Sequence, residues 1–90
     1  MKELIGLRNK IDEIDCEMAK LFEQRMGVVK EILEYKLNHK LPIYDSVREH
    51  EVIKRNVGYI QDEQLRVFYH DYLEVLMELS KAYQESLMEQ

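Results

Sequence analysis

The sequence predicts an all-α domain made of one long helix, one short helix and a second long helix. Two observations carry that prediction. The 90 residues include 3 Gly and 1 Pro against 34% charged and 46% hydrophobic residues, which leaves little room for the turns a sheet needs. The apolar residues recur at alternating intervals of three and four, the seam of a helix rather than the two-residue period of a strand. A chain of this length makes a single domain, 1–90, with a modest core of its own.

The first helix is expected from about Lys2 to about His39. Its seam reads Leu4, Leu7, Ile11, Ile14, Met18, Leu21, Arg25, Val28, Ile32 and Tyr35, apolar or aromatic at every position but one. Such a helix would be roughly 55 Å long, beyond the diameter of a 90-residue globule. Its seam therefore outruns its own chain, and partner chains are expected. The segment Lys40-Leu41-Pro42-Ile43-Tyr44 reads as extended, because Pro42 lacks an amide proton and disfavours helix in the residue before it. A short second helix follows from about 46 to 57, with Asp45 or Ser46 as its N-cap and Asn56-Val57-Gly58 as its end. The third helix, about 62–88, carries Leu65, Tyr69, Tyr72, Leu76, Leu79 and Tyr83 at heptad spacing. It also carries a second stripe of Leu73, Met77, Ser80, Gln84 and Leu87.

Charge and composition remove several functional classes. A formal charge of −5 argues against a nucleic-acid surface, which needs a basic stripe. No apolar run approaches about 20 residues and the N-terminus lacks an uninterrupted hydrophobic region, so neither a membrane span nor a signal peptide is expected. The single cysteine, Cys16, excludes an intramolecular disulfide and fits the reducing cytoplasm. His39, His50 and His70 have no partner at ligand spacing, so no metal site is expected. No Gly-rich phosphate loop is present.

Arg25 is the residue that points to a ligand. It interrupts an apolar seam with the side chain most costly to bury without a partner, so an anion meeting it there is the favoured reading. An arginine can also lay its stem along apolar surface and keep its head in water. Alternatively, it can set register in a non-catalytic helical dimerisation module. Lys36 lies eleven residues on, about 16 Å away on the same face. By itself it is an ordinary lysine meeting the dipole of a last turn. Arg8 and Arg48 are each, alone, ordinary solvated charges. Glu49 completes the capping box Ser46-Val47-Arg48-Glu49, which accounts for it without a ligand. Ser80 and Gln84 fall one turn apart near the tail of their stripe, where burial can simply end.

Taken together, these residues resemble a family. Leu7-Arg8-Asn9-Lys10-Ile11-Asp12-Glu13-Ile14-Asp15, then Leu21-Phe22-Glu23-Gln24-Arg25, then Lys36, then Pro42-Ile43-Tyr44-Asp45-Ser46-Val47-Arg48-Glu49 are similar to the all-α class of chorismate mutases over nearly the whole chain. The resemblance implies a cofactor-free Claisen-type rearrangement of chorismate to prephenate, in the biosynthesis of phenylalanine and tyrosine. It implies Arg8, Arg25 and Arg48 on the substrate carboxylates, with Ser80 in support. Lys36 and Gln84 would donate to the ether oxygen, and Glu49 with the backbone at Asp45 would orient the ring hydroxyl. It further implies an intertwined homodimer with shared active sites. A lyase that removes pyruvate from isochorismate on the same scaffold is the alternative enzyme reading. Arg8 and Arg25 are roughly 25 Å apart along one helix, too far to grip one small diacid together. Two antiparallel copies of that helix, crossing near Cys16, would bring Arg8 of one chain beside Arg25 of the other.

Overall fold

The computed structural model describes the whole chain, Met1–Gln90, and its regular elements are all helical. α1 spans Lys2–Asn38, α2 Ser46–Val57 and α3 Arg66–Met88, with a 3-10 turn at Glu63–Leu65 in front of α3. Asp62, expected to open the third helix, instead caps that tighter turn by accepting from the Gln64 amide at 3.0 Å. The Arg66 side chain ties back from the start of α3, its Nε donating to the Ile60 carbonyl at 2.8 Å. α3 is the element that packs against both α1 and α2.

The interior formed this way is small. Leu33 of α1 and Leu73 and Met77 of α3 are buried, and the other two buried residues are polar, Ser80 and Gln84. Of the two stripes on α3, the one carrying those polar residues therefore faces the chain's own interior. The heptad stripe stays open, with Leu65, Tyr72 and Leu79 about half exposed.

The α1 seam is open as well. Leu7, Ile11, Ile14 and Leu21 are each 57–62% exposed. The Cα radius of gyration is 16.6 Å and the molecule measures 56 × 29 × 16 Å, whereas a 90-residue globule has a radius of gyration of about 12 Å. Its accessible surface is 7682 Å², against about 5,600 Å² for a folded monomer of this mass. The excess lies largely in helix faces whose residue pattern is that of an interior.

α1 ends in a way the sequence did not announce. Lys40 has φ 54°, so the expected extended segment begins one residue later. The Lys40 amide donates to the Leu37 carbonyl at 3.4 Å, and the Leu41 amide reaches back to the Lys36 carbonyl at 2.9 Å. That pair of bonds is a Schellman closure, which usually places glycine at the left-handed position, and Pro42 then bars any return to helix. The lysine is held there because the closure satisfies two end-of-helix carbonyls and aims the chain toward α2. Replacing Lys40→Gly should stabilise the protein by about 0.5–1 kcal/mol, the relief of the left-handed Cβ clash less glycine's greater unfolded-state entropy. Lys40→Ala, which keeps the clash, should show no such gain. Denaturation midpoints at one fixed protein concentration test both.

Candidate active site

The polar residues singled out in the sequence converge on one cavity of about 130 Å³ between the end of α1, the start of α2 and the last turns of α3. Lys36, Asp45, Arg48, Glu49, Ser80 and Gln84 all line it, over an apolar floor that includes Val29, Ile32 and Met77. Arg25 stands one hydrogen bond away, its Nη1 donating to Ser80 Oγ at 2.7 Å. Arg8 does not line the cavity of its own chain.

Each member is positioned by an identifiable local cause. Ser80 Oγ donates to the Leu76 carbonyl one turn back at 2.9 Å while accepting from Arg25. Its hydroxyl is thus satisfied at 9% exposure, and it gives the half-buried guanidinium a partner inside the fold. Gln84 is 8% exposed, one turn further along α3, and also lines the cavity. No fully buried side-chain nitrogen or oxygen in the chain lacks a hydrogen-bond partner. Burial therefore does not end at Ser80 and Gln84; they are the polar part of the interior.

Lys36 gathers the connection between α1 and α2. Its carbonyl accepts the closing bond from Leu41, and its Nζ donates to the Ile43 carbonyl at 2.9 Å. The loop is thereby folded over the last turn of α1 and delivers Asp45 to the start of α2. Asp45, not Ser46, is the N-cap, its carboxylate accepting from the Arg48 amide at 3.0 Å. The capping-box account of Glu49 consequently fails, because Ser46 already lies inside the helix. The Glu49 carboxylate is instead in an ion pair with Lys81 at 3.3 Å.

Two contributors were missed in the sequence. Lys81 pairs with both Glu49 and Glu78, the latter at 3.0 Å. Hydrogen bonds to Glu78 and then Glu49 raise its ammonium pKa above the ordinary lysine value. Tyr44 Oη donates to Glu85 Oε1 at 3.0 Å, tethering the loop to α3. In Lys81, the i,i+3 spacing to Glu78 was visible, but the pairing with Glu49 depends on α2 folding onto α3. Elsewhere His70, Asp71 and Glu74 approach within 4.8 Å of one another on the exposed face of α3, where His70 Nδ1 lies 3.1 Å from Glu74. Cys16 is exposed.

A second, larger cavity of about 640 Å³ runs between α1 and the start of α3. Met18, Leu21, Phe22, Leu65, Phe68 and Tyr72 are among its walls, and Arg25 is its one charged residue. Arg25 thus stands at the junction of an apolar groove with the polar cavity behind Ser80. No helix is long and apolar enough to cross a membrane.

The Tyr44 tether has a pH signature. Desolvation against α3, with the Glu85 carboxylate accepting its proton, raises the Tyr44 pKa above 10.0. A folded-state pKa raised above the unfolded value means that the tether's contribution is complete below the ordinary tyrosine range. It is lost as pH rises through the higher folded value. Alkaline titration followed by tyrosinate absorbance should show a late-ionising component that Tyr44→Phe removes. Equal, ordinary titration of all six tyrosines would contradict the tether.

Comparison with known proteins gives the family of the chain. The family model described as chorismate mutase type II matches residues 7–85. The chain is 31% identical over 98 aligned residues to a chorismate mutase of Methanocaldococcus jannaschii, covering all of this chain and 92% of that protein. It is 32% identical over 89 residues to a bifunctional chorismate mutase/prephenate dehydratase of Aquifex aeolicus, covering 90% of this chain and 25% of that protein. It is 41% identical over 49 residues to the T-protein of Haemophilus influenzae, covering 54% and 13% of the two chains. The chain thus spans a quarter or less of the latter two relatives. No solved structure matches it significantly. The match across most of the chain, with a near full-length relative beside it, means that the chain belongs to the chorismate mutase type II family.

Proposed function

We propose that residues 1–90 form one catalytic domain that rearranges chorismate to prephenate, and that it works as a homodimer with shared active sites. The observation that carries this reading is the single cavity lined by Lys36, Asp45, Arg48, Glu49, Ser80 and Gln84, with Arg25 bonded to Ser80 at its back. The reaction breaks the ether C–O bond while a C–C bond forms within the same molecule. No group is transferred to the protein and no proton need move. Catalysis then consists of holding the compact, reactive conformer of a dicarboxylate and stabilising negative charge on the departing ether oxygen.

The residues divide accordingly. Arg25 and Arg48 take the carboxylates, where the planar guanidinium fork fits two oxygens, and Ser80 keeps Arg25 aimed. Lys36 and Gln84 donate to the ether oxygen. Gln84 is an amide at any ordinary pH, and its low exposure removes the water that would weaken its bond. Glu49 and the backbone at Asp45 orient the ring hydroxyl. The direct test is loss of chorismate absorbance with prephenate identified as the product. Release of pyruvate from isochorismate, without chorismate turnover, would instead make the chain a lyase.

Surface that one chain leaves open supports the dimer. About 2,000 Å² beyond the surface of a compact monomer is the scale of a large, permanent interface. An antiparallel partner helix along the α1 seam would fill the apolar groove beside Arg25 and carry its own Arg8 toward that site. Arg8→Ala and Arg25→Ala homodimers should each be nearly inactive, because every site lacks one cation. Co-refolded, they should give heterodimers with one complete site and up to about half of the wild-type activity, since mixing leaves both arginines together in one of two sites. A mixture as inactive as its parents would exclude the shared site.

Gln84 gives a pH test of its role. Gln84→Glu replaces the donor with a group that donates only when protonated. Burial and a dianionic ligand push that carboxyl pKa up, while Lys36 pulls it down. The variant should be active in mild acid and fade as pH rises, whereas the wild type stays flat over the same range. Profiles of kcat/KM that run parallel would remove Gln84 from the reacting centre.

A further inference from the structure

We propose that Lys81 is a positioning and specificity residue of this site, holding the Glu49 carboxylate so that one of its oxygens serves the substrate's ring hydroxyl. This rests on the chorismate reading above. Three observations support it. Tyr44, Glu49 and Lys81 line both the inner polar cavity and a shallower depression of about 380 Å³ on the outer face, so they form the wall between the two. Lys81 Nζ meets Glu49 Oε1 at 3.3 Å and Glu78 Oε1 at 3.0 Å. Glu78 is well exposed, at 75% of its side chain, while Lys81 and Glu49 keep only 29% and 28%. The three form a line from solvent to cavity. Outer Glu78 holds Lys81, and Lys81 in turn holds Glu49 by one oxygen.

Charge accounting explains why the site needs the pair. Two carboxylates, Asp45 and Glu49, line a cavity that must accept a dianion. Asp45 is occupied as the cap of α2. Glu49, left uncompensated, would repel the incoming ligand and could turn toward Arg48 or Lys36, taking a cation away from the substrate. Lys81 answers its charge from the wall side, so Lys36 and Arg48 remain available. A carboxylate has acceptor sites on both oxygens. With Oε1 engaged by Lys81, Oε2 is left to accept a hydroxyl proton in a fixed direction. Lys81 touches no reacting atom on this account and acts through Glu49.

The test compares two rigid dicarboxylate ethers that mimic the compact reacting conformer, one bearing the ring hydroxyl and one lacking it. Their inhibition constants are measured on the intact 90-residue protein. Loss of the Lys81 charge weakens both probes alike through long-range repulsion, so the ratio of the two constants is the informative quantity. In Lys81→Met the preference for the hydroxylated probe should fall roughly ten- to a hundredfold, the scale of one hydrogen bond to a charged acceptor. Lys81→Arg, which can still reach Glu49, should retain most of the preference. In a Glu49→Gln background, Lys81→Met should leave the ratio where Glu49→Gln has already put it. Glu78→Gln should change the ratio little, since the Glu49 pairing survives. Overturning results are a ratio unchanged in Lys81→Met, or a fall of the same size with Glu49 already replaced. Turnover of chorismate by the unaltered protein is read separately. If that turnover fails while the ratio behaves as expected, the reaction assignment falls and the role of Lys81 in holding Glu49 stands.

Discussion

The hydrogen bond from Arg25 to Ser80 is the interaction on which the arrangement of the domain turns. It joins the middle of a 37-residue helix to the interior stripe of α3 at 2.7 Å, and it does so with a group that could not enter the fold unpaired. Because Ser80 also donates to the Leu76 carbonyl, its hydroxyl has no freedom to rotate away, and the guanidinium is fixed in turn. That contact sets the register of α1 against α3. With the register set, Gln84 falls one turn further along α3 and lines the same cavity as Lys36. A slip of one residue in α3 would turn Ser80 away from Arg25 and bring Leu79 or Lys81 toward its place.

The second constraint is the short connection between α1 and α2. Lys36 serves it twice, as an acceptor through its carbonyl and as a donor through its ammonium. Residues 41–45 are thereby bound to the helix they have just left. The left-handed Lys40 accomplishes the reversal, and Asp45 opens α2 before the chain can move away. Placing Arg48 and Glu49 beside the cavity costs one strained residue of about 1–2 kcal/mol, and the Tyr44–Glu85 and Glu49–Lys81 contacts fasten the loop and α2 to α3. In this domain, the site and the tertiary structure are held by largely the same bonds.

How much of this could be read in advance depended on whether a signal was local. The seam from Leu4 to Tyr35 is periodic over ten positions, so the long helix and its excess of apolar surface were legible, as was the all-helical class. Arg25 was legible because it broke that period. Lys40 was not, since nothing about a lysine marks a left-handed residue; the closure is chosen by the carbonyls it satisfies and by the following proline. Glu49 was open to two explanations because Ser46-x-x-Glu49 and Asp45-x-x-Arg48 are offset by a single residue, and spacing does not decide which side chain caps. The geometry decides it, and frees Glu49 for Lys81. That pair joins two helices distant in sequence, so no pattern along the chain could point to it.

An acidic protein can accept a dianion only if its few cations are kept from neutralising its own carboxylates where the ligand binds. The chain carries 13 Lys and Arg against 18 Asp and Glu, so random pairing would leave no free cation at all. The fold sorts them instead. Exposed acids pair along their own helices, as Glu17 does with Lys20, or remain in water where they cost little. The guanidinium of Arg25 is given a neutral partner, Ser80, and the ammonium of Lys36 a neutral carbonyl, so neither positive charge is cancelled. Asp45 accepts from a backbone amide rather than from a cation. The one cation spent on a carboxylate at the cavity is Lys81, in the outer wall. The choice of neutral hydrogen-bond partners thus leaves the charges of Arg25 and Lys36 uncancelled in a chain whose net charge is −5.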